Sequence, residues 1–309
     1  MVTKVTTRTQ ELQKRSQAHG FNTYGGVVGI QPEKIWEKGR GIRLTDTDGK
    51  EYIDLSSFFL CANLGYCRKE LVDVAYEQMQ KLTYAISFAN SNNIPAIEYA
   101  EALAKFTPEN INHFYFCNSG SEANESAIKI AKAYWHAQGK ASKYKILSLM
   151  EGFHGLAGFV TGFLPEGDLR PFFGPEAPGI IRVPNYNCYR CPLSLTYPGC
   201  DIACAKYLER VIGEEGENTI AAFIAEPEQG YGGGIAPPPE YFPMVRDICT
   251  RHNVLFISDE VITGFCRTGR NFGVDNWNVK PDMMAMAKGM AGVHFPVAGI
   301  GISDKVYAG

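Results

Sequence analysis

Lys288 closes an apolar run, MMAMA (283–287), and precedes Gly289. An apolar setting favours the neutral, nucleophilic amine that carbonyl condensation needs. A surface lysine at the end of an element is the commoner alternative. Asp259 ends another apolar run, VLFIS (254–258). A carboxylate there must be paired or cost several kcal/mol of desolvation. A cationic ring nitrogen would suit it, and so would an N-cap role for Val261-Ile262-Thr263. Ser119-Gly120-Ser121-Glu122 lies between the run FYFC (114–117) and a helical stretch. Glycine lets a ligand approach the backbone, and a helix start offers N–H groups and partial positive charge to a phosphate. The alternative is a plain helix start, with Ser121 capping and Glu122 facing the dipole. Neither GxGxxG nor a Walker A loop is present here. Phe153 and His154 stand between Gly152 and Gly155. They offer an aromatic face to a planar ligand, or fill the core at a strand end. Glu226 follows the run AAFIA (221–225).

These residues need elements to position them. The runs FYFC, KILSL (145–149), AAFIA, VLFIS and VAGIGI (297–302) read as strands, with MMAMA undecided between strand and helix. Between them, ANESAIKIAKAYWHAQ, CAKYLERVIGEE and EYFPMVRDICTRH carry helical period. Continuous apolar strands joined by helical crossovers predict a parallel sheet covered on both faces. Ligands of such sheets bind at the carboxyl ends of the strands. Those ends bring the polar, acidic and aromatic groups above to one rim. A phosphate cradle, an aromatic platform, a carboxylate and a lysine together fit one cofactor, pyridoxal 5′-phosphate.

Upstream, GIRLTDTDGKEYIDL reads as a hairpin around Asp48-Gly49, and 69–82 as a helix with apolar Leu71, Val72, Ala75 and Met79. The start, MVTKVTTRTQELQKRSQAH, has basic residues but no apolar core, so it is not a secretory signal. It reads as a solvated helix, with a transit peptide as the alternative. At about 150 residues per domain, the length predicts roughly two domains. Hydrophobic residues are 45% and charged ones 20%, an ordinary globular composition. The net charge of −3 excludes a globally basic nucleic-acid surface, and no apolar run is long enough to span a bilayer. Nine cysteines, an odd number in a chain of this size, point to reduced thiols in the cytoplasm.

FCNSGSEANESAIKIAKAYW resembles the phosphate-binding strand–loop–helix of class-III aminotransferases, and VLFISDEVITGFCRTGRNFGVDNWNVKPDMMAMAKG is similar to their long signature. The similarity runs from about residue 20 to the end. It implies a fold-type-I pyridoxal-phosphate-dependent α/β domain over 61–309, after an N-terminal segment of helix and hairpin at 1–60. It implies that Lys288 forms the Schiff base and shuttles the proton, and that Asp259 pairs the pyridinium nitrogen. Val261 and Phe153 would cover the two ring faces, and Gly120 and Ser121 would bind the phosphate. Glu226 and His154 would complete the cofactor site. Phe153 replaces the family's usual tyrosine, losing its hydroxyl but keeping its face. Tyr231 stands where members acting on ornithine or 4-aminobutyrate carry a gating glutamate, which discounts those substrates. Leu60 stands where many ω-amine members carry tryptophan, and Phe88 where a partner subunit lends a pocket aromatic. The resemblance implies a homodimeric ω-amino-acid:pyruvate aminotransferase of taurine or β-alanine type, with an aminomutase or decarboxylase as same-fold alternatives.

Near the C-terminus, VAGIGI reads as a strand, Ser303 as an N-cap and DKVYAG as the first turn of a helix. The family's pattern continues into a second phosphate-binding stretch and a small domain. The expectation is therefore a truncated chain, with a non-catalytic fragment as the alternative function. Outside these motifs, Cys188-x2-Cys191-x8-Cys200-x3-Cys204 lies in NYNCYRCPLSLTYPGCDIAC. Four thiols at such spacing can bind zinc tetrahedrally, although only the first pair has the usual knuckle spacing. Incidental free thiols or disulfides are the alternatives, and the cofactor site itself calls for no metal.

Overall fold

The computed structural model describes residues 7–20, 34–85, 90–165 and 169–309. Its contacts divide the chain into two compact units, Met1–Thr83 with Gly292–His294, and Tyr84–Ala291 with Phe295–Gly309.

In the first unit, helix α1 (Arg8–His19) starts on a capping box. Thr7 Oγ1 accepts from Gln10 N, and Gln10 Oε1 accepts from Thr7 N. Strands β1 (Trp36–Arg40), β2 (Arg43–Asp46) and β3 (Glu51–Ile53) form an antiparallel meander. The turn before β3 is organised by Asp46, whose Oδ1 accepts from Asp48 N and Lys50 N and whose Oδ2 accepts from Tyr52. Ser57, Phe58, Phe59 and Leu60 all take left-handed φ, from 43° to 64°. Each such non-glycine residue costs roughly 1–2 kcal/mol. Helix α2 spans Lys69–Lys81, as its apolar spacing predicts.

The second unit holds helix α3 (Ile94–Ala104) and a seven-stranded sheet. Its strands are β4 (Ile111–Cys117), β5 (Lys145–Leu149), β6 (Ile180–Val183), β7 (Ile220–Ala225), β8 (Leu255–Asp259), β9 (Met283–Met286) and β10 (Ala298–Ser303). The order is β4-β10-β9-β8-β7-β5-β6. All five expected strands lie where their apolar runs fall, and MMAMA resolves as a strand. The short β6, IIRV, is an addition. One expectation is corrected: β10, the VAGIGI strand, runs antiparallel to both β4 and β9. A parallel return needs a crossover of a dozen or more residues, usually helical. The link from β9 to β10 contains only the short 3₁₀ turn Lys288–Met290, so the chain folds straight back.

Alternation along the strands feeds two cores. Leu147, Phe223 and Phe256 face helices α5 (Ala203–Glu215) and α6 (Tyr241–Arg251), packing with Leu208, Tyr241 and Phe242. Ile146, Ile224 and Ile257 face the other way, onto Ala127, Ile128, Ala131 and Trp135 of helix α4 (Gly120–Ala137). Each large side chain so buried contributes roughly 1.5–3 kcal/mol. The sheet is thereby a rigid two-sided platform, and the ends of β4, β5, β7, β8 and β9 share one rim. The last helix, α7 (Asp304–Ala308), is capped by Ser303 Oγ accepting from Val306 N, as expected.

Candidate active site

Asp259 is the last residue of β8 and is 2% exposed. Its Oδ2 accepts from His154 Nδ1 at 2.7 Å and from Asn124 Nδ2 at 2.7 Å, and its Oδ1 accepts from Val261 N at 3.0 Å. With the carboxylate as acceptor, His154 Nδ1 is the donor of this bond. The Val261 bond is the local capping contact foreseen as an alternative for Asp259; it coexists with the buried network. Asn124 also donates to His154 O at 2.9 Å. It fixes the backbone of the 152–155 loop and the Asp259 carboxylate with one amide.

Strand register places Lys288 beside this network. Asp259 pairs with Ala285 of β9, and Glu260 N donates to Ala285 O at 2.8 Å. Lys288 follows two residues after β9, half-buried, with a φ of 39°. A lysine seldom adopts that conformation, and strained backbone of this kind clusters at functional sites.

Helix α4 begins against the same residues. A Cβ on Gly120 would come within 2.8 Å of Val261 Cγ1 and 3.4 Å of Ala287 Cβ. Only glycine admits so close a packing of the helix start onto the Asp259 and Lys288 loops. The helix cap is Ser119, whose Oγ accepts from Glu122 N at 3.2 Å. This corrects the capping role considered for Ser121, which lies inside the first turn. There Ser121 Oγ accepts from Leu156 N at 3.1 Å. Gly155, at φ 123°, presses so close that a Cβ would stand 2.4 Å from Ser121 Oγ. The first N–H groups of α4 have no intrahelical acceptors, as at any helix start.

Glu226 follows β7 and is 3% exposed. Its Oε2 accepts from Phe153 N at 3.1 Å, while Oε1 is buried without a hydrogen-bond partner. Burial pushes this carboxyl up to about 7; the His154 ring opposes that and the Asp259 charge adds to it. The Phe153 ring stacks on Tyr231, with centroids 4.8 Å apart. Gly120, Ser121, Phe153, His154, Glu226, Asp259, Val261 and Lys288 are therefore gathered on one rim, with Tyr231 behind Phe153. Leu60 belongs to the first unit. Phe88 lies outside the described residues.

Sequence reasoning missed Asn124 and Tyr186. Asn124 shares the buried stripe of α4 with Ile128, Ala131 and Trp135. A lone amide on an apolar helical stripe is the signal that could have found it. Tyr186 donates to Glu226 O at 2.8 Å and is fully buried.

The class-III aminotransferase family model matches residues 29–309. The chain is similar to putrescine–pyruvate aminotransferase of Pseudomonas aeruginosa, at 34% identity over 97% of this chain and 66% of that protein. It is 36% identical to taurine–pyruvate aminotransferase of Bilophila wadsworthia, over 88% of this chain and 59% of that one. Among solved structures, an amine transaminase from an uncultivated Pseudomonas species in its PLP-bound form superposes with a TM-score of 0.88 at 32% identity, covering 91% of this chain and 64% of that one. The chain thus spans less than two thirds of the length of these relatives. With the α/β sheet and the long match in agreement, the chain belongs to the class-III aminotransferases, a family of pyridoxal-phosphate enzymes.

Proposed function

We propose that this chain carries the cofactor domain of a pyridoxal-phosphate-dependent aminotransferase that moves an amino group from an ω-amino acid or amine to a keto acid such as pyruvate. One observation carries the reading: a buried, hydrogen-bonded Asp259 stands on the strand next to the one that leads into Lys288. The residues fit the cofactor. The buried, partnerless Glu226 Oε1 offers an acceptor, the Gly120 start of α4 suits a phosphate, and Asp259 faces neutral donors apart from the His154 ring. When bound, pyridoxal phosphate supplies an aldehyde that condenses with amines and a ring that withdraws electrons.

Each residue then has a defined task. Asp259 holds a proton on the ring nitrogen, and His154 and Asn124 keep its carboxylate aimed. Lys288 Nζ presents the amine matched to the aldehyde, and the same atom accepts and returns a proton. Gly120 and Ser121 offer N–H groups and a hydroxyl to the phosphate. Val261 and the face of Phe153 turned away from Tyr231 flank the ring and exclude water. Tyr231, stacked behind Phe153, borders the amine pocket. The names of the relatives support terminal amines as donors and pyruvate as acceptor.

A homodimer is part of this reading. Helix α2 exposes Val72, Tyr76 and Met79 at helical spacing, an apolar face that suits a partner. A cytoplasmic home is supported by the cysteine count, nine and therefore odd in a chain of this size. No described helix is long and apolar enough to cross a membrane. The test is spectroscopic. The chain with added cofactor should show a visible absorbance band that borohydride fixes on Lys288 by peptide mapping. Lys288→Ala should abolish the band; an unchanged band sinks the assignment. Taurine, β-alanine and putrescine with pyruvate then separate the donors.

A further inference from the structure

The stretch between β6 and α5, residues 184–202, has no regular secondary structure. It exceeds the roughly 12–15 residues beyond which such loops are uncommon without a function of their own. Cys188, Cys191, Cys200 and Cys204 are all unpaired, and all four line one small cavity of about 20 Å³ together with Tyr186 and Ile202. That is room for about one water-sized particle. Cys204 lies in the first turn of α5, and the N–H groups of a helix start favour a thiolate.

We propose that Cys188, Cys191, Cys200 and Cys204 close on a single Zn²⁺ ion that fixes this loop. Among the described residues no three histidine, cysteine or acidic side chains already form a metal cage. Binding therefore includes rotation of the thiols inward, led by the exposed Cys188. Four thiolates in tetrahedral array complete a closed structural site, with no open position for catalysis. Zinc must displace protons, so its affinity rises with pH. Tyr186 lines the cavity and donates to Glu226 O. The bound loop would thus brace the backbone of a cofactor-site residue.

The site is tested on the whole chain, purified under reducing conditions, supplied with Zn²⁺ and exchanged into metal-free buffer. One zinc per chain by elemental analysis is expected, with four cysteines shielded from alkylation until a chelator is added. Cys188→Ser/Cys191→Ser should lose the metal and expose Cys200 and Cys204. Should that variant fail to fold, Co²⁺ added to the unaltered chain decides: sulfur-to-cobalt charge-transfer bands and an intense tetrahedral visible band support the site. Zinc-free protein with four freely reacting thiols, disulfides among the four, an iron–sulfide chromophore, or zinc retained in a folded double variant would each overturn it.

Discussion

Glu226 and Glu260 follow adjacent parallel strands, both lie buried, and burial pushes both carboxyls up to about 7. Their surroundings differ. Glu260 accepts from Ser258 Oγ, Thr263 Oγ1, Gly273 N and Val274 N. It pins both ends of the loop that carries Val261. Glu226 accepts from Phe153 N on one oxygen and keeps the other buried without a partner. A shared titration range therefore hides two roles. A carboxylate with every acceptor engaged is a clamp, while one with an acceptor in reserve is prepared for a ligand.

The largest test of that contrast is truncation. Glu260→Ala would strand two backbone N–H groups and two hydroxyls in the core. At about 1–3 kcal/mol for each stranded group, the loss is about 4–12 kcal/mol, comparable with the whole stability of an ordinary domain. Glu226→Ala strands Phe153 N and the Gly230 N–H beside it, and no hydroxyl. Urea unfolding followed by circular dichroism should show Glu260→Ala unfolded or close to it, and Glu226→Ala folded with a modest loss. Equal losses would erase the distinction.

The next largest effect is a pH dependence. Glu226 has a folded value near 7 against 4.5 in the unfolded chain. Below 4.5 both states are protonated and the group is neutral to stability. Between the two values only the unfolded chain ionises, so stability falls as pH rises, and above 7 the penalty is complete. At about 1.4 kcal/mol per pH unit, the full penalty is on the order of 3 kcal/mol. Glu226→Gln removes it. That variant should be no more stable than the parent at pH 4 and more stable at pH 8.5, in paired urea titrations without cofactor. Glu260→Gln should be destabilised at both, because its amide group would confront N–H donors. A Glu226→Gln curve parallel to the parent's would show that Glu226 does not titrate in this range.

Much of this rim was legible in the sequence because its parts are local. Asp259, Lys288 and Gly120 each announce themselves where an apolar run stops, and strand ends are easy to find. The roles that depend on distant partners were not legible. Asn124 reaches Asp259 across 135 positions of sequence, and Glu260 reaches Gly273 and Val274 through a folded-back loop. Glu260 reads in the sequence as a neighbour of Asp259, with nothing to mark it as the better-bonded of the two. The reversed direction of β10 was hidden for a different reason. An apolar strand buried on both faces looks the same whichever way it runs, and only the missing helix before it records the turn. Ser119 and Ser121 both suit a cap, and two residues of helix phase separate them.

The smallest effect sharpens the contrast most. Glu226 is held by Phe153 N, and the Phe153 ring is held by Tyr231 at 4.8 Å with planes 22° apart. An aromatic pair of this kind is worth about 0.5–1.5 kcal/mol beyond its buried area. Tyr231→Leu removes the ring, whereas Tyr231→Phe keeps it. The leucine variant should loosen the 152–155 loop, weaken the Phe153 N–H bond to Glu226 and raise that carboxyl further, because one contact favouring its charged form is lost. Its stability should then go on falling to a higher pH than the parent's, while the Glu260 contribution stays where it was. Cofactor affinity, read from the visible band, should drop a few-fold for leucine and less for phenylalanine. If leucine and phenylalanine behave alike, the stacked ring does not position Phe153, and the link from Tyr231 to Glu226 is broken.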